Sequence, residues 1–195
     1  MNKRYAYILI IFYLFSGPGP ILFFLNKFTV SFLPIVTLGV ILFILKNEIL
    51  LIDFNQVIRN IKNYSLAFNG LKYCIFSHAL STLIFGFSEI VTDDLINSYL
   101  IVSVNTVIIA PILEETVYRK IIFGFLNKRY NFWIGSIASS FIYSIGHLSM
   151  DRFLAYFLVG MILCFVYKKA GNLFPAMLAH ASLNYISILV RTLNG

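Results

Sequence analysis

Seven apolar stretches follow one another along this chain of 195 residues, near 5–25, 28–45, 66–88, 98–126, 131–149, 153–168 and 173–191. Most are close to the roughly 20 residues needed to cross a hydrocarbon core of about 30 Å. Inside lipid every backbone N–H and C=O must be paired within the protein, so a single apolar run folds as a helix. The expected fold is therefore all-α: a polytopic transmembrane helical bundle of about seven spans, with residues 1–195 forming one integral membrane domain. Composition agrees, with 59% hydrophobic and 12% charged residues and a mean hydropathy of +0.86, which excludes a soluble domain. A net charge of +7 would suggest nucleic acid in a soluble protein. Here the cations cluster in short segments between apolar runs, where they set topology, and no nucleic-acid partner is expected.

Counting those cations orients the chain. Starting from the N-terminal side, one face of the membrane receives Lys3, Arg4, Lys46, Arg59, Lys62, Lys120, Lys128, Arg129, Lys168 and Lys169. The other receives Lys27, Arg152 and Arg191. Cytoplasmic loops carry the excess of Lys and Arg. The expectation is a multi-pass protein of the cell membrane with a cytoplasmic N-terminus and an outer C-terminus. Met1-Asn-Lys-Arg4 and the apolar run behind it imitate a signal peptide, but Ser16-Gly-Pro-Gly-Pro20 brings no small-residue cleavage site. The run reads as an uncleaved first span kinked at its prolines. Segment 46–64 mixes Lys46, Glu48, Asp53, Arg59 and Lys62 with apolar residues and reads as an interfacial amphipathic helix. Glu89, Asp93 and Asp94 read as a solvated outer loop, and Cys74 and Cys164 as buried hydrophobes. Cys74 and His78 stand one turn apart, a soft-metal spacing with no further Cys or His nearby, so packing is the expected role.

The costly residues are those inside the spans. Glu114, Glu115 and Arg119 fall within six residues of the fourth apolar run, at about 2.5–3.5 kcal/mol for each ionisable group. Glu115 and Arg119 share a helix face and can pair. Glu114 sits about 100° around, and Pro111 just upstream can free carbonyls that only a protein-lined cavity tolerates. A structural ion pair accounts for one Glu and the Arg and leaves the second carboxylate unexplained. The next span carries Tyr143 and His147 one turn apart, with Gly146 permitting close approach, and the last carries His180 and Asn184 at the same spacing. Each pair alone suits an interfacial or interhelical hydrogen bond. Together, carboxylate, imidazoles, amide and guanidinium are what activating a water and stabilising an oxyanion require. His147 lies near the outer end of its span and His180 nearer the inner side. For both to reach one water, the turn near Asp151 must tuck into the membrane.

Glu-Glu-x-x-x-Arg, aromatic-x-x-x-His and His-x-x-x-Asn, in that order on successive hydrophobic helices, resemble the CPBP family of CAAX endopeptidases and bacteriocin-processing or abortive-infection proteins. The resemblance covers about residues 98–190, the expected catalytic core, with Tyr143 where Phe is usual. It implies intramembrane peptide-bond hydrolysis of a peptide or membrane-protein substrate. By it, Glu114 with His147 would polarise the attacking water, and His180 and Asn184 would bind the oxyanion. Glu115 and Arg119 would hold the geometry. A metal-bound form would use Glu114, His147 and His180 for Zn²⁺. The sequence has no His-Glu-x-x-His helix and Asn184 is a poor zinc ligand, so a mechanism without cofactor is expected. A rival reading is a non-catalytic immunity factor that captures a peptide or transporter. A small proton-coupled transporter is another, less favoured because repeat halves are missing.

Overall fold

The computed structural model describes residues 2–24, 26–86 and 99–194. The expected outer loop with Glu89, Asp93 and Asp94 lies outside them. The described residues form a bundle of helices without strands. Helix α1 (Lys3–Phe15) is followed by a 3₁₀ turn at Pro20–Phe24, and α2 spans Lys27–Ile49. A short α3 (Phe54–Arg59) precedes α4 (Ile61–Phe85). Then come α5 (Leu100–Arg129), α6 (Phe132–Gly146), α7 (Phe153–Ala170) and α8 (Phe174–Asn194). A helix thus stands at each of the seven expected spans. Four segments are long and apolar enough to cross a membrane on their own composition: Lys3–Phe24, α2, α5 and α7.

Two local expectations are corrected. The first span is broken rather than kinked, because Gly17, Pro18, Gly19 and Pro20 end α1 at Phe15. Gly19 is packed so closely on the Tyr13 carbonyl that a Cβ would fall 1.9 Å from its oxygen. Segment 46–64 is no single amphipathic helix. Lys46 and Glu48 belong to the end of α2, Asp53 caps α3 through the Gln56 N–H, and Asn60 caps α4 through the Lys62 N–H. Each Asx side chain offers the backbone a local acceptor and restarts the helix.

Small and polar side chains set the close packing. Helix α6 turns Gly135, Ser136, Ser139, Ser140 and Ser144 inward. At Gly160 of α7 an added Cβ would meet the Ser140 Cβ at 2.7 Å, so these two backbones touch only because glycine stands there. At the N-terminal end of the bundle Glu48 Oε2 accepts from Tyr5 Oη at 3.0 Å and lies 2.7 Å from Lys120 Nζ, tying α1, α2 and α5. Asn172 Nδ2 donates to Asn63 Oδ1 at 3.3 Å and ties the α7–α8 turn to the start of α4. The opposite end of the bundle holds a cavity.

Candidate active site

Helix α5 carries the carboxylates, and its winding is irregular for identifiable reasons. Over Asn105–Ile109 and Glu115–Phe123 it widens to π register, with ordinary α winding at Ala110–Glu114 between them. In the first wide turn the Ala110 N–H reaches the Asn105 carbonyl, five residues back. The next bond in that register would run from residue 111 to Thr106, but Pro111 has no N–H. Asn184 of α8 supplies the missing donor, its Nδ2 lying 2.9 Å from the Thr106 carbonyl oxygen. The same remedy serves Pro34 in α2. There Asn105 Nδ2 donates to the Val30 and Ser31 carbonyls at 3.1 and 2.8 Å. In the second wide stretch Ser139 Oγ donates to the Tyr118 carbonyl at 2.7 Å. Wide turns of this kind occur at functional sites because they re-aim side chains.

The two glutamates, adjacent in sequence, enter different surroundings. Glu115 is fully buried. Its Oε1 accepts from His180 Nδ1 at 2.8 Å and lies 3.0 Å from Arg119 Nη1, an ion contact without hydrogen-bond alignment. The Arg119 guanidinium, also fully buried, rests over the Tyr143 ring at 4.4 Å from its centroid, a cation–π contact strengthened by exclusion of water. Glu114 keeps 20% of its side chain exposed, and its Oε2 stands 3.9 Å from the Nε2 atoms of both His147 and His180. The depth mismatch expected between the two histidines is therefore absent: both rings reach one carboxylate. The chain leaves α6 through Leu148 at φ 52°, a left-handed residue costing about 1–2 kcal/mol, and both ends of that connection, His147 and Arg152, line the cavity.

Hydrogen bonding on the far side of each imidazole sets its proton. His147 Nδ1 donates to the Tyr143 carbonyl at 2.8 Å, and His180 Nδ1 donates to Glu115. In the neutral rings both Nε2 atoms thus carry lone pairs facing Glu114. His147 is further fixed by stacking on Tyr156, ring centroids 3.9 Å apart. Tyr143 Oη lies 3.4 Å from His180 Nε2.

These groups sit at the floor of a cavity of about 360 Å³. Glu114, His147, His180 and Asn184 line it; Glu115 and Arg119 lie behind the floor, where they touch its residues and not its space. The walls are largely apolar and come from every long helix, including Phe12 and Phe15 of α1, Ile21 and Leu22 of the 3₁₀ turn, and Val30 of α2. Sequence reasoning had no signal for Tyr156 as a ring partner, nor for the N-terminal residues as walls. The prolines within α2 and α5 were the available sign of the two asparagine contacts. His78 lines the same cavity, separate from Cys74, which is buried.

Zinc fits these donors poorly as they stand. Ligand bonds of about 2.0–2.1 Å place tetrahedral ligand atoms about 3.3 Å apart, and the Glu114–histidine separations are 3.9 Å. Among the described residues no three His, Cys, Asp or Glu side chains form a group able to hold an ion.

Comparison with known proteins shows what this stretch is similar to. Residues 96–186 match the family described as type II CAAX prenyl endopeptidase Rce1-like. The chain is 31% identical over 98 residues to the membrane peptidase YdiL of Bacillus subtilis, covering 50% of this chain and 40% of that one. It is 32% identical over 93 residues to the membrane-embedded CAAX protease MroQ of Staphylococcus aureus, covering 45% and 38%. It is also 32% identical over 79 residues to the UPF0177 protein YxdF of Lactococcus lactis, covering 40% and 42%. The matched stretch is thus about two fifths of each relative's length. No solved structure matches. The matched stretch contains Glu114, Glu115, Arg119, Tyr143, His147, His180 and Asn184, so the residues gathered at the cavity floor all fall in the part of this helical membrane protein that is similar to the Rce1-like CAAX prenyl endopeptidases.

Proposed function

We propose that this protein is an intramembrane peptidase that hydrolyses a peptide bond of a peptide or membrane-protein substrate with water activated at Glu114. One observation carries the reading: Glu114 lines a cavity with its Oε2 unpaired, and the Nε2 atoms of two imidazoles stand 3.9 Å from that oxygen. That separation is too long for a direct hydrogen bond. Two legs of about 2.8 Å close a triangle on it, the size of one water. The water oxygen attacks the scissile carbonyl carbon as its proton passes to Glu114 or to the Nε2 of His147. The C–N bond then breaks, and the leaving nitrogen takes that proton back. The Tyr143 hydroxyl and the amide N–H of Asn184 not given to Thr106 are the donors for the developing oxyanion. Glu115 and Arg119 act behind the floor: Glu115 holds His180 in the tautomer with Nε2 free, and Arg119 balances the carboxylate's charge. This scheme routes no step through a metal.

Cleavage of a reporter peptide library by purified protein in detergent tests the reading, with Glu114→Gln as the control. Gln keeps the shape and cannot accept the proton, and loss of a general base costs about 10²–10⁴-fold in rate. Cleavage by Glu114→Gln at the wild-type rate rejects it. Protection of a host from a bacteriocin by Glu114→Gln equal to wild type would favour peptide capture. Activity abolished by a chelator and restored by Zn²⁺ rejects the metal-free scheme alone.

A further inference from the structure

The cavity belongs to one end of the bundle. Its walls come from the C-terminal end of α1, the first turns of α2, the upstream half of α5, the end of α6, the start of α7 and the last turns of α8, as Phe15, Thr29, Val102, His147, Arg152 and Ser187 mark in turn. The other end is where Tyr5, Glu48 and Lys120 meet and where the α7–α8 turn docks on α4. Ten of the fifteen cations lie at that second end. At the cavity end stand three, Lys27, Arg152 and Arg191, and the stretch 87–98 that joins α4 to α5 contains no Lys or Arg. Cationic short loops stay on the cytoplasmic side, which puts the cavity mouth on the opposite face. The apolar walls suit an extended polypeptide of apolar side chains, with its scissile carbonyl delivered to the floor.

We propose that the cavity opens to the non-cytoplasmic face of the membrane, so that the substrate is an exported polypeptide, with an apolar segment entering from that face, rather than the cytoplasmic tail of a membrane-attached protein. The substrate class rests on the peptidase reading; the side of opening does not. The first test is thiol accessibility in the full-length protein with Cys74 and Cys164 replaced by Ala. Leu22→Cys and Met150→Cys mark the cavity end, with 40% and 84% of their side chains exposed in the parent. Ile61→Cys and Tyr130→Cys mark the other end at 80% and 60%. A membrane-impermeant maleimide should label the first two in intact spheroplasts and the last two only after lysis. The reverse pattern overturns the proposal, and two positions per end guard against one variant that fails to fold. The second test fuses the linker that the purified protein cuts in detergent to either side of a single-span anchor. Glu114-dependent cutting of the exported linker is the expected result. Cutting of the cytoplasmic linker overturns the substrate class. Glu114-independent cutting of the linker in detergent would sink the peptidase reading and the substrate class with it, while the labelling result continues to decide the side of opening.

Discussion

The α1–α2 hairpin and the α5–α8 group build one cavity by opposite means. The hairpin segments bury only 17% and 22% of their most apolar stretch, against 39% in both α5 and α7. Most hairpin side chains therefore face outward to lipid, and the hairpin is held to the rest by a narrow apolar seam of Ile8, Phe12, Ile41 and Leu45 together with a few polar contacts. Asn105 meets the Val30 carbonyl freed by Pro34 and the neighbouring Ser31 carbonyl, and Glu48 meets Tyr5 and Lys120. The α5–α8 group is locked by glycine–serine contact and by buried charge. It carries all six residues expected to do chemistry and coincides with the family match. Chemistry needs groups held rigidly; a wall that admits polypeptide needs shape and looser attachment. The division predicts that substitutions on the two sides fail differently.

The largest effect belongs to Glu114→Gln, with turnover down about 10²–10⁴-fold and thermal stability unchanged. A matching loss of thermal stability would move Glu114 from the reacting group to the scaffold. Arg119→Ala comes next. It strands the fully buried Glu115 beside His180, and removing one partner of a buried pair costs about 3–5 kcal/mol. Reduced yield and a lowered Tm in detergent are expected together with lost activity. A folded, active Arg119→Ala would show that His180 alone satisfies Glu115.

Asn184→Ala should fail in both ways at once. The Thr106 carbonyl loses its donor, at about 1–3 kcal/mol, and turnover falls about 10²-fold as an oxyanion donor goes. Unchanged Tm with slowed turnover would leave only the oxyanion role; the converse would leave only the repair of α5. Asn105→Ala should cost stability alone, again about 1–3 kcal/mol, read as a lower Tm with kcat within a few-fold of wild type. A large fall in kcat would show the hairpin to be part of the chemistry. Smallest is Ile21→Ala in the 3₁₀ turn, where trimming an apolar wall should change kcat/KM among peptides by about 10-fold. Identical selectivity in wild type and variant would remove the hairpin from substrate contact.

Much of this molecule was legible in its residues because lipid leaves so few options. A long apolar run must be a helix, and ionisable groups inside such a run must face protein, so the helical bundle could be read from order and spacing; the grouping of Glu114, Glu115, Arg119, His147 and His180 was expected from the family resemblance, with the depth of the two histidines left open. What the chain alone did not show depends on how helices end and where they touch. Local caps at Asp53 and Asn60 turned an apparent amphipathic segment into a helix end and two restarts, since an Asx side chain beside a backbone N–H outweighs the wider pattern. Which of two neighbouring glutamates faces the cavity and which pairs with arginine followed from wide turns in α5. In the first of those turns Asn184, 78 residues away, satisfies a carbonyl that Pro111 cannot, and in the second Ser139 bonds the Tyr118 carbonyl. Periodicity assigns residues to helices; their facing and depth are decided by contacts between helices, which spacing along one chain does not encode.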